Sequence, residues 1–150
     1  MAGCEPTMGS EVIEGRVNSW ARALNDGDVD AFVSRYEPGA PFLPPGEHAV
    51  AGREAIGERW QDLLDRFDIL FVFELEGLDA DGRVGFAHGT YSISGHDPVE
   101  GEAFSIEDGF LQIWRRQPNG RWLIALDMWN PSVDAGPTLP DPSSRTRLWQ

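Results

Sequence analysis

The sequence predicts an α+β fold in which three helices precede a meander of long antiparallel strands. Apolar residues recur at helical spacing up to Phe67 and at every second position from Ile69 onward. Residues 109–130, GFLQIWRRQPNGRWLIALDMWN, read as two strands around a tight turn and hold three of the six tryptophans.

Residues 1–9 read as a flexible lead, and the folded domain is expected over 10–130. Ser10 precedes a helix in which Val12, Ile13, Val17, Trp20, Ala21 and Leu24 share a face, with Asn25-Asp26-Gly27 as its stop. Asp28 is placed to cap a short second helix over 29–36, ended by Pro38-Gly39. Residues 40–45 are extended and proline-limited; a turn at Gly46 and a short strand around Ala49-Val50 follow. Gly52 opens a third helix over 53–67 with Ile56, Trp60, Leu63 and Leu64 inward. A strand over 69–78, a turn at Asp79-Ala80-Asp81-Gly82 and a return strand over 83–94 come next. Gly95-His96-Asp97-Pro98 leads to a strand over 103–116, and Gln117-Pro118-Asn119-Gly120 turns it into the last strand. Beyond Asn130, four prolines preclude regular structure, so 131–150 is a proline-rich tail, loose or docked through Leu148-Trp149.

A chain of 150 residues without internal repeat is one domain with room for a real core. Its net charge of −13 argues against nucleic acid and anionic membranes as partners. No apolar run approaches the length of a bilayer and the N-terminus lacks an apolar signal region, so a soluble, cytoplasmic protein is expected. Cys4 stands alone, which excludes an internal disulfide and a cysteine-rich metal site. There is no lysine, so Schiff-base chemistry and a P-loop lysine are excluded too. His48, His88 and His96 match no zinc motif and no dinucleotide fingerprint is present; neither a metal nor a cofactor is expected.

Asp127 is the one acidic residue in the apolar last strand. With unbroken alternation, Leu123, Ala125, Asp127 and Trp129 share one face, and Trp122, Ile124, Leu126 and Met128 the other. Both faces are too apolar for water, so the strand is expected to be covered on both sides, the second by another copy of the chain. A carboxylate in such a place is either a structural acceptor for an indole or backbone N–H, or an acid whose pKa burial raises into a working range.

The segments ALNDGDVDAFVSRYEPGAPFLPPGE (23–47), AGREAIGERW (51–60) and WRRQPNGRWLIALDMWN (114–130) resemble the nuclear transport factor 2-like superfamily, a group that includes ketosteroid isomerases, SnoaL-like polyketide cyclases and many small proteins without an assigned activity, over about residues 12–130. The resemblance implies a cone-shaped sheet curved around the helices, a cystatin-like α+β barrel, with a cavity inside and a convex outer face that pairs two subunits. Its register places the ketosteroid isomerase general base on Pro44, the oxyanion tyrosine on Trp20 and the protonated aspartic acid on Gln112. All three groups differ here, and a proline cannot shuttle a proton, so steroid-type enolisation with those parts is not supported. The same register turns Trp60, Ala87, Gly89, Tyr91, Gln112, Trp114, Asp127 and Trp129 toward the cavity. Glycine and alanine there are expected to leave an internal void of several hundred Å³ opposite Trp129.

The function this implies is a cofactor-free cyclase or isomerase of a hydrophobic, polyketide-like molecule. Asp127 would transfer the proton, Tyr91 and Gln112 would hold the reacting oxygen, and Trp20, Pro44, Trp60, Ala87, Gly89, Trp114 and Trp129 would line the site. The cavity could instead close the substrate by folding it. A non-catalytic binding protein and a dimeric assembly module are the rival readings.

Overall fold

A computed structural model describes residues 8–130. Helix α1 (Met8–Asn25) starts two residues before the predicted Ser10 and buries Ile13, Val17, Trp20 and Leu24 along one stripe. Glu11 in its first turn and Arg22 in its last complement the helix dipole. Helix α2 (Val29–Val33) is capped by Asp28, whose Oδ1 accepts from the Ala31 N–H at 3.0 Å. It ends three residues earlier than predicted. Tyr36 leaves the helix, forms an isolated parallel bridge with Ile124 and is fully buried.

Strand β1 (Pro41–Leu43) and the two-residue β2 (Val50–Ala51) precede helix α3 (Arg53–Arg66). Gly52, at φ 92°, lets the chain turn into α3, which buries Ile56 and Trp60 and half-buries Leu63 and Leu64. Four longer strands follow: β3 (Asp68–Asp81), β4 (Val84–His96), β5 (Ala103–Arg116) and β6 (Trp122–Trp129). The β3–β4 turn is tighter than the expected Asp79-Ala80-Asp81-Gly82. Gly82, at φ 62°, makes a two-residue reversal possible and both strands run up to it.

The six strands form one curved, unclosed sheet in the order β2-β1-β6-β5-β4-β3, with the helices on its concave side. Every pairing is antiparallel except β1 with β6, which is parallel and sets Phe42 against Asp127. Two bulges, each of a kind that bends a strand, interrupt the register. In the first, Glu76 is the extra residue between the Leu75–Gly89 and Gly77–His88 pairs, and the Glu74 carbonyl comes so close to Gly89 that a Cβ there would lie 1.9 Å from its oxygen. In the second, Ala125 is the extra residue between the Ile113–Leu126 and Trp114–Ile124 pairs.

The second bulge corrects the alternation read for β6. Before Ala125 the inward residues are Trp122 and Ile124, and after it they are Asp127 and Trp129, so Trp122 and Ile124 belong to the core rather than to the outer face. The outer face keeps Leu126 and Met128 beside Phe86, Leu111 and Ile113 of the neighbouring strands. Among the described residues, no helix is long and apolar enough to cross a membrane. Of the lead expected over 1–9, residues 8 and 9 belong to α1 instead; its remainder and the proline-rich tail, with its Leu148-Trp149 hook, lie outside the described residues.

Candidate functional site

Trp129 stands at the centre of the cone. Its ring lies within 4.4 to 6.3 Å, centroid to centroid, of Tyr91, Phe42, Trp60, Phe71, Phe73 and Trp20. Edge-on, tilted and, with Phe71, stacked contacts of this kind fill volume tightly and fix ring orientation. The space expected to be empty opposite Trp129 is therefore occupied by side chains.

Behind Trp129 is a buried polar chain. Trp129 Nε1 donates to Asp127 Oδ1 at 2.9 Å, Tyr36 Oη donates to Asp127 Oδ2 at 2.6 Å, and Trp20 Nε1 donates to Tyr36 Oη at 3.2 Å. Trp20, Tyr36 and Asp127 have no solvent exposure. Burial raises the Asp127 pKa from 3.8 to about 7, against the opposing pull of the hydrogen bonds from Tyr36 and Trp129. Gln112, its cross-strand neighbour, lowers it a little as well, but from a geometry short of a full hydrogen bond, so the buried Gln112 Nε2 is left without a partner. Gln112 Oε1 accepts from Trp114 Nε1 at 3.2 Å. The Tyr36 pKa is driven well above 10, first by burial and then by the charge of Asp127.

In front of Trp129 a cavity of about 260 Å³ opens at the mouth of the cone. Its walls are Trp129 and Tyr91 at the back, Phe42, Pro44 and Pro45 from β1 and the loop after it, Arg59, Trp60, Leu63 and Phe67 from α3 and its end, and Ile93, Phe104 and Ile106 from β4 and β5. Tyr91 is held by a 3.3 Å hydrogen bond to the Asn130 carbonyl, and burial followed by the nearby Asp108 and Asp127 raises its pKa. A larger depression of about 550 Å³ crosses β3, β4 and β5 past Glu74, Glu107 and Asp108, a lining too acidic and polar for an apolar ligand.

Of the residues singled out in the sequence, Pro44, Trp60, Tyr91 and Trp129 meet at this cavity. Trp20, Ala87, Gly89, Gln112, Trp114 and Asp127 are buried on the concave side but do not line it. Gly89 accommodates the approach of the Glu74 carbonyl rather than making room for a ligand. Tyr36, the closest partner of Asp127, was not singled out. The available signal was its position four residues after Phe32, on the same face of the predicted second helix.

The fold recurs in solved structures. A ketosteroid isomerase-like protein from Erwinia carotovora atroseptica SCRI1043 superposes with a TM-score of 0.76 at 16% identity, over 85% of this chain and 98% of its own. An NTF2-like protein with a cystatin-like fold from Novosphingobium aromaticivorans gives 0.68 at 17%, over 84% and 82%. A protein from Catenulispora acidiphila in complex with S-DNPA gives 0.65 at 19%, over 80% and 90%. At these identities the likeness is one of fold. No curated protein matches the chain. The sequence itself matches the model of the SnoaL-like domain over residues 17–124, and with that match covering most of a chain whose sheet, helices and cone are those just described, the protein belongs to the SnoaL-like domain family.

Proposed function

We propose that the domain binds a compact, flat, hydrophobic molecule of polyketide-like character at the mouth of its cone and cyclises or isomerises it without a cofactor, with Asp127 carrying the proton. The observation that carries this reading is the link from pocket to acid: a carboxyl with a pKa near 7 is joined by a 2.9 Å hydrogen bond to Trp129, whose ring is a wall of the cavity. A group poised near neutrality both gives and takes protons at physiological pH. The uncommitted Gln112 amide beside it, and the Tyr91 hydroxyl once it turns from the Asn130 carbonyl, supply donors for a reacting oxygen. Catalysis by this route requires the Trp129 indole to swing away from Asp127 so that the substrate meets the acid. The complex of the Catenulispora acidiphila relative with S-DNPA supports ligand binding by this fold.

A second reading, binding or shape-driven closure without acid or base, is favoured by the complete burial of Asp127. The variant Asp127→Asn separates the two. Product formation at least about a hundredfold lower, with ligand affinity held within a fewfold, supports proton transfer; unchanged turnover leaves the second reading. We further propose a homodimer through the outer sheet face, where Leu70, Val72, Val84, Phe86, Leu111 and Met128 are exposed.

A further inference from the structure

We propose that the ligand of the mouth cavity is a hydrophobic acid, a flat apolar body carrying one anionic oxygen that is taken by the side-chain N–H groups of Arg59 and Trp60. This rests on the cavity being the binding site proposed above, and it adds the charge of what enters.

The first support is the sign of the lining. The chain has 25 acidic residues against 12 arginines, yet the cavity is lined by Arg59 and by no carboxylate. In such a chain an apolar pocket whose one charged lining group is a guanidinium disfavours cations, and it favours anions to the extent that Arg59 turns from Glu47.

The second support is the hydrogen-bond inventory. Three buried indoles on the concave side have acceptors: Trp20 gives to Tyr36, Trp114 to Gln112 and Trp129 to Asp127. Trp60, on the cavity wall, does not, and its Nε1 is buried without a partner. The neighbouring residue repeats the pattern. Arg59 uses Nη2 on Glu47, while its Nε is buried and also has no partner. Two adjacent residues of one helix that line the cavity thus carry covered donors without acceptors, beside a Tyr91 hydroxyl already donated to the Asn130 carbonyl, and a small side-chain rotation would present them to a ligand. Native proteins rarely leave buried donors unpaired, because each one forfeits its hydration with no return. A ligand oxygen is an acceptor that would satisfy them, and a negatively charged one would form the stronger, charge-assisted bond with Arg59. A neutral hydrocarbon would leave both unpaired. The Arg59 side chain is about one-third exposed, so it has room to turn toward a ligand without repacking the core.

The test uses calorimetric titration of the full chain with trans-cinnamate and with cinnamyl alcohol, two flat molecules of equal carbon skeleton, at fixed ionic strength. Cinnamate is expected to bind on the order of tenfold more tightly than the alcohol, the size of one charge-assisted hydrogen bond. Arg59→Gln should erase that preference while leaving the alcohol within about twofold. Glu47→Gln, which frees Arg59 from its carboxylate, should strengthen cinnamate binding, and it serves as the decisive variant if Arg59→Gln does not fold. Equal affinity for the two probes, or a preference that survives Arg59→Gln and is unmoved by Glu47→Gln, overturns the proposal while leaving the cavity as a binding site. No heat from either probe overturns the cavity as a binding site and this proposal with it.

Discussion

Tyr36 and Asp127 share a 2.6 Å hydrogen bond that neither residue can replace, because both are fully buried. Tyr36 also accepts from Trp20, so Tyr36→Phe removes an acceptor from one buried indole and a donor from one buried carboxyl. At about 1–3 kcal/mol for each of the two buried groups left unpaired, a loss of roughly 2–6 kcal/mol is expected. Urea denaturation of both proteins at pH 6 measures it, and a difference below 1 kcal/mol would mean that the bond is incidental. The Asp127 pKa should also rise in the variant, since Tyr36 is the largest influence holding it down.

The pH dependence follows from the same acid. Folded Asp127 keeps its proton up to about pH 7, whereas its ordinary value is 3.8. Between these values the folded state binds more protons than the unfolded state, so stability falls as pH rises and levels off above about 7. The drop is at most roughly 4 kcal/mol, from 1.36 kcal/mol per unit of pKa difference. Asp127→Asn has no such group. Its stability relative to the parent should therefore increase from pH 4 to pH 7 and then stay constant, as read from denaturation midpoints across that range. A difference independent of pH would show that Asp127 is ionised throughout.

The elements were legible in the sequence because their patterns are strong. The Asp28 cap, the Gly52 start of α3 and the period-two runs each carry a local physical cause visible in one dimension. What was not legible depends on contacts between strands. The Ala125 bulge reverses the inward face of half of β6, and alternation could not reveal it because both faces of that strand are apolar. Gly89 is buried in β4, but its purpose, admitting the Glu74 carbonyl, depends on a bulge in another strand. Tyr36 stayed hidden because a helix extended to residue 36 does not pair with β6, whereas the observed chain leaves the helix after Val33 and bridges to Ile124.

Gly89→Ala tests the bulge. A methyl group would lie 1.9 Å from the Glu74 oxygen, a backbone atom that cannot swing aside. The sheet must shift to relieve the clash, and a cost of about 3 kcal/mol or more is expected, at the upper end for overpacked sites. Thermal denaturation measures it. A variant of parental stability would show that β3 can flatten without loss, and would restore Gly89 as a candidate for ligand space.

The last prediction concerns the outer face. Phe86, Leu111 and Met128 belong to three adjacent strands, and each is between 37% and 38% exposed. Val84, 51% exposed, extends the patch along β4, whereas Leu70 and Val72 on the edge strand are set apart from it by the acidic depression of Glu74 and Glu107. The patch crosses β4, β5 and β6 because Phe86 pairs with Ile113, Ile113 with Leu126, and Leu111 with Met128. It no longer includes Trp122 and Ile124, so the driving force for pairing comes from the centre of the sheet rather than from the start of β6. A net charge of −13 opposes association at low ionic strength, because two copies repel one another, while burial of apolar area favours it. The proposed dimer should therefore tighten as salt rises, the opposite of an interface held by ion pairs. Sedimentation equilibrium at micromolar concentration in low and high salt checks both mass and trend. Leu111→Glu, at the middle of the patch and outside the cavity, should give a monomer whose ligand affinity is unchanged. A parental chain that remains monomeric at every salt concentration would refute pairing through this face.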